Sequence, residues 1–432
     1  MTTLAKNPTA RDVAARVLVR VVRDSAFAAA ALEAELQRAA ELEPRDRALA
    51  TEIVYGALRV LPFLTSELDA RAKKGTEGLP WEARGALWVA AQQIFFLRVP
   101  AFAAVDEAVS AVKRTAGPRV AGFANAILRK LAAAPKPDRA RAVIASCPPE
   151  IRAALERALG EEGARRFVAD TEPPPIGLRV RSPGARPAML ARLREAFPKA
   201  DLREGCVSPL AISARGLGVK PQSLPGYESG ELSVQEEGSQ LVALALDARR
   251  GESVLDACAG RGNKTGVLAL AGATVDACDR DPRKLDRLRE DLARLGVAAR
   301  ATYAVDWTVG SGEVAGAYDA VLVDAPCSGI GTMRRRPELL LRPMPPLAER
   351  TRVQRAIATA AAARVAPGGR FVYAVCSVLR EEAEDAIAGL PLEPAPFADE
   401  TTNDLASGTT TLRLLPYIHG TDGYFLASFR KR

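Results

Sequence analysis

Val321-Leu-Val-Asp324-Ala-Pro-Cys327-Ser-Gly-Ile-Gly331 is the stretch whose reading decides the fold. Its apolar run, Ala320 to Val323, has the length and branching of a buried strand. Asp324 and Cys327 follow just past the carboxyl end of that strand, where a glycine-broken loop begins. In open α/β sheets this rim is where ligands bind. Taken alone, the segment reads equally well as a strand, a turn and a small hydrophobic Cys. Two other stretches shift the balance. One is a second such edge, Phe371-Val-Tyr-Ala-Val-Cys376-Ser377. The other is a glycine loop from Asp256 to Thr265.

Working outward, strands and helices alternate from Leu232 onward. Strands are expected at Ser253 to Leu255, Ala273 to Cys278, Ala301 to Val305, Ala320 to Val323, Phe371 to Val375 and Tyr424 to Phe429. Helices are expected at Glu236 to Asp247, Lys264 to Leu270, Pro282 to Leu295, Thr351 to Val365 and Arg380 to Ala388. This pattern predicts a doubly wound, mostly parallel α/β sheet of Rossmann type over residues 231–432. Upstream, residues 148–230 read as a small α+β unit, with a helix over Glu150 to Ala169 and strands at Ile176 to Val180 and Leu210 to Ser213. Ala132 to Pro149, with four prolines, reads as a linker.

Residues 1–134 read as an all-α bundle of six or seven helices. Val13, Val17 and Val21 with Leu18 and Val22 make one apolar stripe. Val120, Phe123, Ala124, Ile127, Leu128 and Leu131 make another. Breaks fall at Glu43-Pro44, Gly75 to Pro80, Val99-Pro100 and Gly117-Pro118. The fold class is therefore multidomain: an all-α bundle, a small α+β subdomain and an α/β Rossmann-type domain.

The formal charge of +8 favours a polyanionic partner. Lys113, Arg114, Arg119, Arg129 and Lys130 cluster near the end of the bundle, either as a solvated face or as a phosphate-contacting patch. The six cysteines show no C-x-x-C pair, which suits a reducing cytoplasm. Met1 to Arg11 lacks an apolar h-region and no run of 18 apolar residues exists, so neither a signal peptide nor a membrane span is expected. One His, His419, nearly removes zinc sites and histidine triads, and no metal is expected. His419 itself is a candidate for RNA contact, but reads more readily as a satisfied structural histidine.

The glycine loop reads Asp256-Ala-Cys258-Ala259-Gly260-Arg261-Gly262-Asn263-Lys264-Thr265. A Walker loop needs an upstream Gly that is missing, and Asn263 precedes the Lys. A dinucleotide fingerprint needs a third Gly where Thr265 stands. What remains is a nucleoside carrying a carboxylate, which suits S-adenosylmethionine. Asp279 ends the next strand, about where an acid hydrogen-bonds ribose hydroxyls. Asp306 ends the third strand and can accept from an adenine amino group. Singly, each acid is more often a cap or turn residue.

Two thiols at adjacent strand ends suggest a specific chemistry. A thiolate is a strong nucleophile once its pKa is lowered. Adding one to carbon 6 of cytosine makes carbon 5 enamine-like, so that it attacks a methyl sulfonium. Asp324 is placed to stabilise charge at the pyrimidine edge. A second thiol assists the final elimination. Two buried core cysteines are the plain alternative.

These motifs together resemble the RsmB/Sun family of RNA 5-methylcytosine methyltransferases, over nearly the whole chain. Val99 to Val109 and Gly122 to Lys130 resemble its NusB-like helical RNA-binding domain. Ser233-Val-Gln-Glu-Glu-Gly-Ser-Gln-Leu-Val242 resembles the opening of its methyltransferase domain. Asp324 to Glu338, Pro367 to Ser377 and His419 to Gly423 are similar to its remaining motifs.

The resemblance implies an S-adenosylmethionine-dependent methyltransferase acting on cytosine carbon 5 in small-subunit (16S) rRNA, cytoplasmic and monomeric. It makes Cys376 the nucleophile and Cys327 the residue that aids product release. It places the cofactor on Cys258, Ala259, Gly260, Arg261, Gly262, Asn263, Lys264, Asp279, Asp306 and Asp324, and implies that Lys264 and Asp324 also hold the target base. DNA cytosine methyltransferases carry their nucleophile on the Pro-Cys loop, which would swap the thiols.

Five positions depart from the family pattern. Gly260, Arg261 and Asn263 replace Ala, Pro and Gly, and Val375 replaces Thr before the nucleophile. Ala383 stands where Asn commonly follows Glu381-Glu382. Arg261 is a candidate for the cofactor carboxylate or an RNA phosphate. Two other readings stay open: an RNA-binding ribosome-assembly factor whose catalytic domain has decayed, and a DNA cytosine-5 methyltransferase.

Overall fold

A computed structural model describes residues 8–170, 173–344 and 346–432. Residues 1–7, which open the stretch read for a signal peptide, lie outside them. The chain groups into two compact units. One holds residues up to Ala153 with Glu161–Glu172 and Met333–Pro343. The other holds Ala154–Gly160, Pro173–Thr332 and Met344–Arg432.

The first unit is the expected bundle. Its helices run Ala10–Arg23, Ala28–Arg38, Pro44–Leu58, Leu61–Asp69, Trp81–Phe96 and Ala101–Ala132. The first starts on a capping box, in which Thr9 and Asp12 exchange side-chain and backbone bonds. Val13, Ala14, Val17 and Leu18 are fully buried on its inner face. Trp81–Phe96 is buried nearly all round, so it forms the centre of the bundle. The last helix breaks at Gly117 (φ 86), ahead of Pro118, where the sequence placed a break.

Two features of this unit differ from expectation. The supposed linker contains a helix, Arg139–Ser146, because Asp138 caps it on Arg141 N–H and Ala142 and Val143 find buried positions. Met333–Pro343, the basic continuation of the Asp-Ala-Pro-Cys motif, also packs here. Its Glu338 accepts from Ala28 N–H at 3.4 Å, and Arg59 donates to Arg334 O at 2.7 Å. Arg336 and Arg342 stack on Phe27.

The second unit carries two sheets. The small one is antiparallel, made of β1 (Ile176–Val180), β2 (Asp201–Glu204), β3 (Ala211–Arg215) and β4 (Leu232–Val234) in the order β2-β3-β1-β4. The sequence reading missed β2 and assigned Leu232 onward to the next domain. The structure instead pairs Leu178 with Val234.

The large sheet holds β5 (Ser253–Asp256), β6 (Thr274–Asp279), β7 (Ala301–Ala304), β8 (Tyr318–Asp324), β9 (Val365–Val375), β10 (Glu393–Pro394), β11 (Thr411–Leu414) and β12 (Tyr424–Arg430). Its order is β10-β12-β9-β8-β5-β6-β7, with β11 beside β12. Strands β9, β8, β5, β6 and β7 are parallel, while β12 runs antiparallel to β9. Leu178 and Ile212 of the small sheet share one core with Val254, Leu322 and Val372 of the large one. That shared core is why the three-part division expected from sequence gives two compact units.

Val321, Leu322 and Val323 are fully buried. Each contributes roughly 1.5–3 kcal/mol by burial. Strand order reverses between β5 and β8, so the loops after these two strands diverge and leave a crevice at their carboxyl ends. The helix expected over Arg380 to Ala388 is instead a 3-10 turn, Arg380–Glu382, and a single turn, Glu384–Ile387, broken at Ala383 (φ −105, ψ −103).

Candidate active site

The crevice receives its groups from four strand ends. After β5, the loop enters helix Asn263–Leu270 through Gly262, whose φ of 84 is left-handed. A Cβ at Gly262 would lie 2.7 Å from Leu288 Cγ, so the turn and the close approach both require glycine. Beneath the loop, Asp256 is fully buried and accepts from Thr265 Oγ1 at 2.7 Å. Burial lifts its carboxyl to about 6. After β6, Asp279 accepts from Gly260 N–H at 3.1 Å, from Asp281 N–H and from Lys284 Nζ. After β7, Asp306 accepts from Thr308 N–H and Oγ1 through Oδ1, and those hydrogen bonds hold its carboxyl below the usual range.

A cavity of about 690 Å³ lies over these ends. Cys258, Gly260, Asp279, Asp306, Trp307 and Asp324 are among its lining residues. The Trp307 indole N–H is fixed on Ala257 O at 2.8 Å. The size is ordinary for a small-molecule site, and apolar Val305, Trp307 and Ile357 face a few polar groups. A nucleoside ligand fits this lining, with the carboxylates of Asp279 and Asp306 as acceptors for hydroxyl and amino donors. Burial, then the charges of Asp256, Asp324 and Asp279, push the Cys258 thiol well above the usual range.

The other loop residues expected at the cofactor do not line the cavity. Ala259 is buried beside Ala277 and Leu288. Arg261 is exposed, with its guanidinium 4.0 Å from Asp291. Asn263 is exposed at the helix start. Arg261, proposed for the cofactor carboxylate or an RNA phosphate, is therefore occupied along the neighbouring helix in this structure.

Lys264 reaches Asp324 instead, with Nζ 2.5 Å from Oδ2 in a mostly buried pair. Burial opposes the ammonium, but Asp324 and Asp256 outweigh it and the Lys264 pKa is raised. Asp324 thus faces the cavity while holding Lys264.

The two thiols meet just beyond. Parallel pairing sets Asp324 opposite Ala374, and Ala325 N–H binds Ala374 O at 2.8 Å. Cys327 and Cys376 follow on adjacent strand ends, and their sulfurs lie 3.2 Å apart. Neither sulfur lines the cavity, whose wall ends at Asp324 and Pro326. Hydrogen bonding to Cys376, then burial, then the charges of Cys376, Glu382 and Asp324 push the Cys327 thiol well above the usual range.

Sequence reasoning missed three supports. Gly331 N–H donates to Cys376 O at 3.1 Å, and Gly423 N–H to Gly331 O at 2.8 Å. A Cβ at Gly331 would overlap both partners. Glu382, fully buried, accepts from Ser328 N–H and Oγ. Gln354 donates to Pro326 O. The paired glutamates of the family pattern were the available signal, but nothing in the sequence showed Glu382 turning inward. His419 is the structural histidine expected, accepting from Leu415 N–H at 2.9 Å through Nδ1. Among the described residues, no cluster of His, Cys, Asp or Glu suits a metal ion and no single helix is long and apolar enough to cross a membrane.

Comparison with known proteins agrees with this architecture. The NusB family model matches residues 8–133, and the model for 16S rRNA methyltransferase RsmB/F matches residues 243–430. Ribosomal RNA small subunit methyltransferase B of Vibrio cholerae is 32% identical over 98% of this chain and 97% of its own. The probable ribosomal RNA small subunit methyltransferase B of Bacillus subtilis is 29% identical over 99% of this chain and all of its own. The crystal structure of PH0851 shares the fold, with a TM-score of 0.79 and 22% identity over 98% of this chain and 99% of that one. The chain, with its helical bundle, glycine loop and paired thiols, belongs to the RsmB/F family of 16S rRNA methyltransferases.

Proposed function

We propose that this protein transfers a methyl group to carbon 5 of a cytosine in 16S rRNA through a covalent adduct on Cys376. The carrying observation is the 3.2 Å approach of the Cys327 and Cys376 sulfurs, beside the Lys264–Asp324 pair that borders the cavity. S-adenosylmethionine, when bound in that cavity, supplies an electrophilic methyl group. Cys258, Gly260, Asp279 and Asp306 would hold it, with Asp324 at the inner end.

The family motifs support the division of labour: they put the nucleophile at Cys376 and leave Cys327, on the Asp-Ala-Pro-Cys loop, for release. In this scheme Cys376 is the thiolate that adds to carbon 6. Carbon 5 attacks the methyl carbon, loses its proton, and the sulfur–carbon 6 bond breaks to return the thiolate. Cys327 assists that last step. The target base must leave its stack to reach the sulfur. The bundle and the small sheet would grip the RNA through shape and phosphate contacts, in the cytoplasm and as a monomer.

All reacting side chains are present and assembled, which speaks against a decayed assembly factor. The test is methyl transfer from labelled S-adenosylmethionine to 16S rRNA, with bisulfite mapping of the product. Wild type should label one or a few cytosines in rRNA, and Cys376→Ala none. Binding without transfer would establish the assembly-factor reading, and preferential labelling of duplex DNA would establish a DNA methyltransferase.

A further inference from the structure

Cys327 is held by a buried clamp that the reaction scheme above does not use. Glu382 is 0% exposed, yet its carboxylate meets only neutral donors: Ser328 N–H at 2.7 Å, Ser328 Oγ at 2.5 Å and Gln354 Nε2 at 3.2 Å. The same Gln354 amide donates to Pro326 O at 3.0 Å. Residues 326 and 328 are thus gripped from one side by one network, and Cys327 is the residue between them.

The network is itself anchored. Tyr373 OH donates to Glu382 O at 2.8 Å, and Thr351 Oγ1 to Glu381 O at 2.7 Å. Tyr373 lies on β9, three residues before Cys376, so the clamp references the Cys327 loop to the strand that carries the other thiol.

A buried carboxylate is costly, and a packed apolar residue would fill the space at lower cost. For stability alone this arrangement is a poor solution. It does fix the relative position of two sulfurs, and an error of about 1 Å in such a position can cost about 100-fold in rate.

We propose that Glu382, acting with Gln354 through Ser328, is the positioning residue of Cys327 and sets the rate at which the enzyme–RNA adduct is released rather than formed. This rests on the assignment of Cys376 to attack and Cys327 to release. Glu382 does not touch the base, and Cys376 keeps its own supports, Gly331 N–H on its carbonyl and β12 alongside β9. Loss of the clamp should therefore leave attack intact.

The test uses the full-length protein with an rRNA substrate and labelled cofactor, following methyl transfer at turnover and the SDS-stable protein–RNA adduct in a single turnover. Glu382→Ala should lower kcat by about 10- to 100-fold, leave KM within about twofold, and accumulate adduct as Cys327→Ala does. Glu382→Gln should recover most of kcat. A glutamine oxygen accepts from Ser328 N–H, and the Ser328 hydroxyl can reverse its role to accept from the amide. Because Glu382→Ala could unfold the loop more widely, Ser328→Ala, which removes only the hydroxyl's bond to Glu382 and its weaker one from Ile330 N–H, should show the same adduct accumulation in milder form. Cofactor affinity measured by calorimetry should stay unchanged in all three variants.

Equal loss of adduct formation and release in Glu382→Ala and Ser328→Ala, or wild-type release in both, overturns the clamp. Failure of the underlying reading looks different. In that case Cys376→Ala still forms adduct, or Cys327→Ala accumulates none.

Discussion

The two loops that border the crevice are built from different materials. The glycine loop after β5 works through its backbone. Gly260 N–H binds Asp279, Gly262 turns left-handed, and the side chains of Arg261 and Asn263 point to solvent. The loop after β8 works through its side chains: the Asp324 carboxylate, the Cys327 sulfur and the Ser328 hydroxyl all have partners. Between these two loops the departures follow the same contrast: Arg261 and Asn263 replace Pro and Gly where only backbone is needed, while Asp324 and Cys327 are kept where side chains do the work.

The contrast can be broken most sharply at the thiols. Cys376→Ala should abolish both methyl transfer and the SDS-stable adduct, read on the same gel. Next comes the ion pair: Lys264→Met should lower kcat by about 100- to 1000-fold with cofactor affinity little changed, because it removes charge stabilisation rather than cavity wall. Steady-state kinetics beside calorimetry would separate the two effects.

At the glycine loop the expected effects are smaller and fall on binding. Gly262→Ala should destabilise the fold by about 1–3 kcal/mol through its left-handed φ and the clash with Leu288, and should weaken cofactor binding. Thermal melting with and without cofactor reads both. Asp256→Asn sharpens the comparison through pH. A carboxyl raised from 3.8 to about 6 on folding costs stability above pH 6, and that cost fades as pH falls through 6. The variant should be more stable than wild type by up to about 3 kcal/mol at pH 8, with the gap narrowing at pH 5 in urea melts. The smallest effect belongs to Arg261→Ala, expected to shift cofactor affinity by no more than about twofold, as for an exposed side chain paired loosely to Asp291. A tenfold loss there would mean that Arg261 swings into the cavity on binding.

Much of this was legible in the sequence because period and punctuation agreed with burial. The runs at Val321 to Val323 and Phe371 to Val375 could only be covered strands, and the chemistry-bearing residues follow them directly. The sequence did not show what depends on partners distant in the chain. β2 and β10 are too short and exposed to carry a pattern. The helix at Arg139–Ser146 was hidden by its prolines, which flank it rather than interrupt it. Glu382 looked like one more charge on a solvated turn, and only tertiary packing turns it inward onto Ser328. Arg261 was read as a ligand residue from its place in the loop, but the turn at Gly262 sends it outward.

Three backbone segments touch at one thiol-bearing strand end: the Cys376 carbonyl, Gly331 and Gly423. They come from distant parts of the chain, and Gly423 with β12 is translated after all the rest of the site. Cys376 therefore gains this backbone support only once β12 lies beside β9, and a chain stopped between Cys376 and Gly423 would keep the crevice but lose the contact that braces Gly331 behind that sulfur.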